Sequence, residues 1–140
     1  MDDAELIRAA SEVLRQAYAP YSHFRVGACA VTPDGEAFSG CNVENSSLGL
    51  TICAERSAIF AAAARGHRRI DKVVVVSEKA EKPPLPCGAC LQVMSEFGVR
   101  QVVVGTVGGT FETFDLAELL PRPFKFHREP RWTGGMPGVN

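Results

Sequence analysis

The chain lacks both a long apolar segment and a strongly basic one. Across 140 residues no hydrophobic run approaches the roughly 20 residues needed to cross a bilayer, and residues 1–5 are acidic where a secretory signal would be basic. Lys and Arg number 15 against 16 Asp and Glu, and they are scattered rather than gathered into a track for a nucleic-acid backbone. We therefore expect a cytosolic protein that has no membrane or nucleic-acid partner and acts on a small neutral molecule.

Internal repeats and a change of composition that would mark a second domain are also missing. At 140 residues and 46% hydrophobic content, the chain has the size of one globular domain with one core. Pro and Gly become frequent toward the C-terminus, which is typical of irregular structure. We predict a single domain over residues 1–140, with an irregular tail at 128–140.

The first half of the sequence predicts a helix followed by a hairpin. Apolar residues recur at helical spacing over 4–18. Two β-prone segments, 26–32 and 36–40, flank the turn sequence Pro33-Asp34-Gly35. Residues 42–51 are polar and are expected to form a loop.

The second half predicts alternating helices and strands. Helices are expected over 53–65 and 88–97, because each has helical apolar spacing and is followed by a glycine suited to a helix C-terminus. The unbroken run Val73-Val74-Val75-Val76 is typical of a central strand buried on both faces. Further predicted elements are strands at 101–105 and 110–114 and a short helix at 116–120. The order predicts an α/β fold, a three-layer α/β/α sandwich with a mixed sheet of about five strands.

Cysteine is present in odd number, five in all, which argues against a disulfide framework in a reducing compartment. Three of the five lie in two motifs, Cys53-Ala54-Glu55-Arg56 and Pro86-Cys87-Gly88-Ala89-Cys90. The other two, Cys29 and Cys41, lie in strand-like contexts and are interpreted as small apolar side chains without a function.

Together the two motifs supply three thiolates and one carboxylate that is not needed as a ligand. A structural zinc site is closed by four protein ligands, whereas a hydrolytic one leaves a position for water and has an acid or base beside it. The pattern H-x-E…P-C-x-x-C, with Cys permitted as the first ligand, belongs to zinc-dependent nucleobase deaminases. We interpret Cys53, Cys87 and Cys90 as Zn²⁺ ligands and Glu55 as the proton carrier.

Helix geometry supports a shared site. Cys87 and Cys90 are three residues apart, so both sulfurs lie on one face of a first helical turn. Cys53 and Glu55 lie at the start of the other helix, and both side chains can reach a point in front of its N-terminus. Two helix N-termini would then converge on a zinc ion that three thiolates leave with a net charge of −1. The positive ends of the helices would offset that charge, as would Arg56 through hydrogen bonds to sulfur.

A non-catalytic zinc or redox module is the alternative from a different class. Cys-x-x-Cys by itself is also found in redox pairs and in halves of structural zinc sites. A closed zinc site would need a fourth ligand, for which the chain offers Cys29, Cys41, His23, His67 and His127. None of these five is at ligand spacing from a partner, which favours the open, catalytic interpretation.

The chain resembles the small cytidine deaminases of the homotetrameric, three-cysteine type. Besides the two motifs, the matching segments are 19–28, 40–45 and 118–121. The resemblance implies Zn²⁺ as cofactor and hydrolytic deamination of cytidine and deoxycytidine to uridine and deoxyuridine in cytoplasmic pyrimidine salvage. It also implies a homotetramer with sites at its subunit interfaces.

The resemblance also implies roles for residues that bind the nucleoside. Asn42 and Glu44 would hold the ribose hydroxyls, Phe24 would lie against the pyrimidine, and Ala54 would contact the substrate. Phe124 would enter the site of a neighbouring subunit. Amide and carboxylate groups suit a diol, and aromatic rings suit a flat base.

Two positions depart from the family pattern: Leu91 follows the second motif where Arg is usual, and Leu48 lies where Tyr is frequent. Neither is one of the proposed zinc ligands or the proposed proton carrier, so we expect them to affect subunit contacts and substrate preference. A related deaminase acting on a nucleoside antibiotic of the blasticidin type is the nearest rival, against which Asn42 and Glu44 favour a ribose. A polynucleotide editor is less compatible with a net charge of −1.

Overall fold

The computed structural model describes residues 1–78 and 81–126, and in that part of the chain four α-helices pack on one five-stranded sheet. The elements are α1 (Asp3–Leu14), β1 (Val26–Val31), β2 (Ala37–Cys41), α2 (Ala54–Ala64), β3 (Lys72–Ser77), α3 (Gly88–Glu96), β4 (Gln101–Thr106), β5 (Phe111–Asp115) and α4 (Leu116–Leu119). The predicted tail at 128–140 lies outside the described residues. Among those that are described, no helix has the length and apolarity that a membrane span requires.

The sheet has the order β2-β1-β3-β4-β5 and is mixed, as predicted. β3 and β4 are parallel, with Val74 opposite Val103, and every other neighbouring pair is antiparallel. The parallel pair is joined through α3, which makes it a strand–helix–strand crossover.

The valine run of β3 is buried on both faces because helices cover both sides of the sheet. Val73 and Val75 pack in the cluster that includes residues of α2 and α3, whereas Val74 and Val76 pack against α1. Burying each valine side chain stabilises the fold by roughly 1.5–3 kcal/mol. The expected three-layer α/β/α architecture is confirmed.

Two glycines bring the helices close to the sheet. A Cβ atom on Gly40 of β2 would lie 2.3 Å from the backbone nitrogen of Ala58 in α2, and one on Gly27 of β1 would lie 2.0 Å from the carbonyl oxygen of Ala10 in α1. Any side chain would force each helix away from its strand. Helix α2, which begins just after Cys53, is therefore fixed directly against the sheet.

Helix α1 ends four residues before its predicted end at residue 18. The Tyr18 N–H donates to the Asn42 carbonyl at 2.9 Å, and the Tyr18 carbonyl accepts from the Glu44 N–H at 2.8 Å. These contacts draw the chain out of the helix and onto the loop after β2. That loop is also more ordered than the sequence indicates, since Val43 pairs with Ile52 and residues 48–50 form a 3₁₀ turn.

The predicted glycine ends of α2 and α3 are confirmed. Gly66 has φ +94° and Gly98 has φ +75°, the left-handed conformation that glycine adopts without strain.

Candidate active site

Helices α2 and α3 begin at the same edge of the sheet. β2 and β3 run in the same direction, because both are antiparallel to β1, and each is followed by one of the two helices. Cys53 is the N-cap residue of α2 and Cys87 is the N-cap residue of α3, and their sulfur atoms are 3.8 Å apart. The predicted convergence of two helix N-termini is confirmed.

The third cysteine completes a compact set of sulfur atoms. Cys90 lies in the first turn of α3 and is fully buried, and the sulfur atoms of Cys53, Cys87 and Cys90 all lie within 4.8 Å of one another. A tetrahedral zinc ion with Zn–S bonds of about 2.3 Å spaces its sulfur ligands about 3.8 Å apart. Among the described residues this metal-binding group comprises these three cysteines only. The donor set therefore fits Zn²⁺ held by three thiolates, without a fourth protein ligand.

Arg56 contacts this set from the first turn of α2. Its Nη2 atom donates to Cys53 Sγ at 3.3 Å, so the hydrogen bond inferred from adjacency is present. The Cys90 sulfur and Arg56 both donate to Cys53, and together they lower the pKa of the Cys53 thiol. The pKa of Cys90 is raised in return by its contact with the Cys53 sulfur and by burial. These contacts favour the thiolate form of Cys53, which is the form that binds a metal.

Glu55 is buried between the two helix N-termini, with 5% of its surface exposed. Burial raises the pKa of its carboxyl to about 7, and the negative charge of Cys53 acts in the same direction. A bound Zn²⁺ would add positive charge and oppose that rise. A carboxyl group that titrates near neutral pH can both accept and donate a proton, as general acid–base chemistry requires.

Cys53, Cys87 and Glu55 face a cavity of about 310 Å³, which is within the range of small-molecule sites. Predicted site residues that line it are Cys53, Ala54, Glu55, Cys87, Phe24, Asn42 and Glu44. The structure therefore brings two of the three cysteines, Glu55 and most of the predicted nucleoside-binding residues of one chain to a single pocket. Cys90 and Arg56 are not among the residues that line it.

Phe124 lies outside that pocket. Its side chain is 70% exposed, and its carbonyl accepts from Gln92 Nε2 at 2.9 Å. The predicted role of Phe124 concerns a neighbouring subunit and stays a prediction.

Asn42 and Glu44 also shape the loop that carries Phe24, which the sequence did not indicate. Asn42 Oδ1 accepts from the Val26 N–H at 2.9 Å, and Asn42 Nδ2 donates to the Phe24 carbonyl at 2.9 Å. Glu44 Oε1 accepts from the N–H groups of Tyr21 and Ser22, at 2.9 and 3.1 Å. Each side chain keeps further hydrogen-bonding capacity, because an amide has a second N–H and a carboxylate has about four lone-pair sites.

The charge of Glu44 is stabilised by the same contacts. The Ser22 hydroxyl donates to Glu44 Oε2, and this bond, with the two backbone donors, lowers the pKa of the Glu44 carboxyl. These contacts therefore favour the charged form of Glu44.

Several residues that line the pocket were not singled out from the sequence. They are Ser22, Val26, Thr51, Val75, Ser77, Val104, Gly105 and the segment 83–86. Of that segment only Pro86 belongs to a motif noted in the sequence, yet all four of its residues line the pocket. Ser77 carried a usable signal, since a polar residue that ends a buried strand lies where ligands bind in α/β sheets.

The two departures from the family pattern have different surroundings. Leu91 is 8% exposed and packs in the hydrophobic cluster under α2 and α3. Leu48 is 70% exposed on the 3₁₀ turn. Their effects on subunit contacts stay predictions.

Comparison with known proteins decides the family. The cytidine and deoxycytidylate deaminase zinc-binding region matches residues 1–106. The chain belongs to this deaminase family. A cytidine deaminase from Halalkalibacterium halodurans is 42% identical over 126 residues, which are 89% of this chain and 95% of the relative. A blasticidin-S deaminase from Bacillus cereus is 29% identical over 126 residues, which are 85% of this chain and 89% of the relative.

A solved structure supports the same assignment. The cytidine deaminase from Burkholderia pseudomallei superposes with a TM-score of 0.83 at 47% identity, covering 89% of this chain and all of that one. Family membership makes this chain a hydrolytic deaminase with a cytidine deaminase-like α/β/α fold. The family assignment therefore gives the redox alternative no support, and the three cysteines lie within the matched zinc-binding region.

Proposed function

We propose that this chain catalyses the zinc-dependent hydrolytic deamination of cytidine and deoxycytidine, giving uridine and deoxyuridine and releasing ammonia. One observation carries the proposal: Cys53, Cys87 and the buried Glu55 line the same pocket as Phe24, Asn42 and Glu44, and the Cys90 sulfur lies within 4.8 Å of the other two sulfur atoms. Relatives that are 42%, 43% and 37% identical are named cytidine deaminases, which supports the substrate class.

Cys53, Cys87 and Cys90 would hold the zinc ion. When bound, Zn²⁺ supplies a Lewis acid that makes water a nucleophile at neutral pH. Arg56 donates to Cys53 Sγ and, together with the larger effect of the Cys90 thiol, lowers the pKa of the Cys53 thiol, which favours the thiolate that a zinc ion would bind. The N-termini of α2 and α3 add positive potential at the same place.

Glu55 holds and moves the proton. Its carboxylate accepts a proton from the attacking water as oxygen bonds to the carbon that bears the exocyclic amine. The protonated carboxyl then donates that proton to the ring nitrogen. In a second transfer Glu55 takes the remaining proton from the newly bonded hydroxyl and passes it to the exocyclic amine, so that the C–N bond breaks, ammonia leaves and the oxygen becomes the carbonyl of the product. One side chain serves as base and then as acid, which its raised pKa allows.

The opposite wall of the pocket would hold the nucleoside. Asn42 and Glu44 offer a free N–H and free carboxylate lone pairs to the ribose hydroxyls. Phe24 is half-buried and would pack against the pyrimidine, and Ala54 at the start of α2 would contact its edge.

The assembly we propose is a homotetramer in which Phe124 enters a neighbouring subunit's site. Large apolar side chains that are exposed on the single chain support it, among them Leu48 at 70%, Leu50 at 64% and Phe124 at 70%. Such an enzyme would act in the cytoplasm, in pyrimidine salvage.

The test is the ultraviolet absorbance of cytidine mixed with zinc-loaded protein, beside a chelator-treated sample. Loss of the cytidine band only with the zinc-loaded protein supports both the reaction and its metal. An unchanged band, with zinc bound in stoichiometric amount, contradicts the substrate. Blasticidin S, assayed in parallel, would then test the rival substrate.

A further inference from the structure

Ser77 is a buried hydroxyl inside the pocket that the proposed mechanism does not use. It is the last residue of β3 and lines the cavity with Val75 on the face covered by α2 and α3. Only 3% of its surface is exposed, and its Oγ atom has no hydrogen-bond partner among the described residues.

An unpartnered buried hydroxyl destabilises a folded chain, so native proteins seldom keep one unless a ligand or an ordered water completes it. Ser77 is one of the residues that line a cavity, so a ligand bound there lies next to this residue. Its place also suits binding, because ligands of α/β sheets collect at the carboxyl ends of parallel strands.

We propose that the Ser77 hydroxyl hydrogen-bonds the base of the bound nucleoside, directly or through one water, and so positions the substrate. The inference rests on the proposed function. Strand order favours the base over the sugar: Asn42 follows the edge strand β2, whereas Ser77 ends β3, the strand that leads to Cys87. Ser77 is therefore on the side of the pocket where the base must meet the cysteines.

Replacing the hydroxyl separates binding from folding. In zinc-loaded Ser77→Ala, we expect KM for cytidine and for deoxycytidine to rise by the same factor, about 3- to 10-fold, with kcat within about twofold of the original. Without ligand, the variant should melt about 2–4 °C higher, because an unsatisfied polar atom has been removed.

Ser11→Ala is the matched control. The Ser11 hydroxyl already donates to the Ile7 carbonyl at 2.7 Å and lies outside the substrate cavity. The Ser11→Ala variant should have the same KM as the original protein and should not have a higher melting temperature. Ser77→Thr keeps the hydroxyl and should bind cytidine within about threefold of the original protein.

Each failure has its own signature. If the original protein deaminates cytidine and Ser77→Ala shows the same KM, the role of Ser77 is wrong while the proposed function stands. A loss confined to cytidine would assign the contact to the 2′-hydroxyl and overturn the contact with the base. Lower stability of Ser77→Ala would show an internal partner and overturn the inference. No deamination by the original zinc-loaded protein would overturn the proposed function and this inference with it.

Discussion

Two carboxylates in one pocket have opposite environments. Glu55 is buried at the start of α2, and burial raises its pKa to about 7. Glu44 lies on the loop after β2, where the Ser22 hydroxyl and two backbone N–H groups lower its pKa. The same residue type therefore gives a group that can exchange a proton at neutral pH and a group that stays charged.

The difference follows from what each carboxylate contacts. Near Glu55 the sheet, the helices and the cysteines exclude water, which disfavours the charged form. Near Glu44, three donors from residues 21 and 22 stabilise the charge and hold the loop before β1. We call these the reaction end and the sugar end of the pocket, after the roles we propose for them.

The largest expected effect comes from a substitution at the reaction end of the pocket. Cys90→Ser should lower zinc affinity by more than about 100-fold and abolish cytidine turnover at ordinary zinc concentrations, because a buried thiolate ligand is lost. The loss of zinc binding is measured as the zinc content of the variant after dialysis. Cys41→Ser, the same change outside the cluster, should retain the metal; full occupancy in Cys90→Ser would contradict the three-thiolate site.

A smaller effect is expected at the residue that supports the ligands. Arg56→Gln removes the hydrogen bond to Cys53 Sγ and should lower zinc affinity by about 10-fold, since groups that contact metal ligands contribute on that scale. Competition with a chromophoric chelator measures the affinity. Arg65→Gln, at the exposed end of the same helix, is the control, and equal affinities in the two variants would rule out a role for Arg56.

The smallest expected effect is a shift in the pKa of Glu44, at the sugar end of the pocket. The folded-state pKa of Glu44 lies below its ordinary value of 4.5, so its contacts stabilise the fold above pH 4.5 and are lost as pH falls through the lower value. Carboxyl ¹³C shifts should give a midpoint below 4.5, and Ser22→Ala should move that midpoint upward. A midpoint at or above 4.5 in the original protein would show that the loop contacts do not hold the charge.

Much of the fold was predictable, because the spacing of apolar residues along the sequence indicates which side chains are buried in each helix and strand. The valine run, the Pro33-Asp34-Gly35 turn and the two helix-ending glycines all rest on local chemistry, and the structure confirms them. The end of α1 was not predictable, since apolar spacing continues to residue 18 while long-range bonds from Tyr18 end the helix earlier.

At the site, the sequence predicted the sulfur set because metal ligands have fixed chemistry and spacing. It could not predict that Asn42 and Glu44 hold the Phe24 loop, because those bonds join residues up to 23 positions apart. Nor could it show that the Ser77 hydroxyl is unpartnered, which depends on the packing of β3 beneath both helices.

The most direct test of the two roles is to measure kcat and KM for cytidine in zinc-loaded Glu55→Gln and Glu44→Gln, with zinc content determined on the same samples. We expect Glu55→Gln to keep its zinc and lose at least about 10³-fold in kcat, because Glu55 is the carboxyl that lies buried beside the cysteine sulfurs and an amide cannot accept the proton. Glu44→Gln should keep most of its kcat and raise KM about 10-fold or more, because a charged hydrogen bond to the sugar is lost. Retained turnover in Glu55→Gln, or the same pattern of loss in both variants, would contradict the division between a proton carrier and a permanent anion.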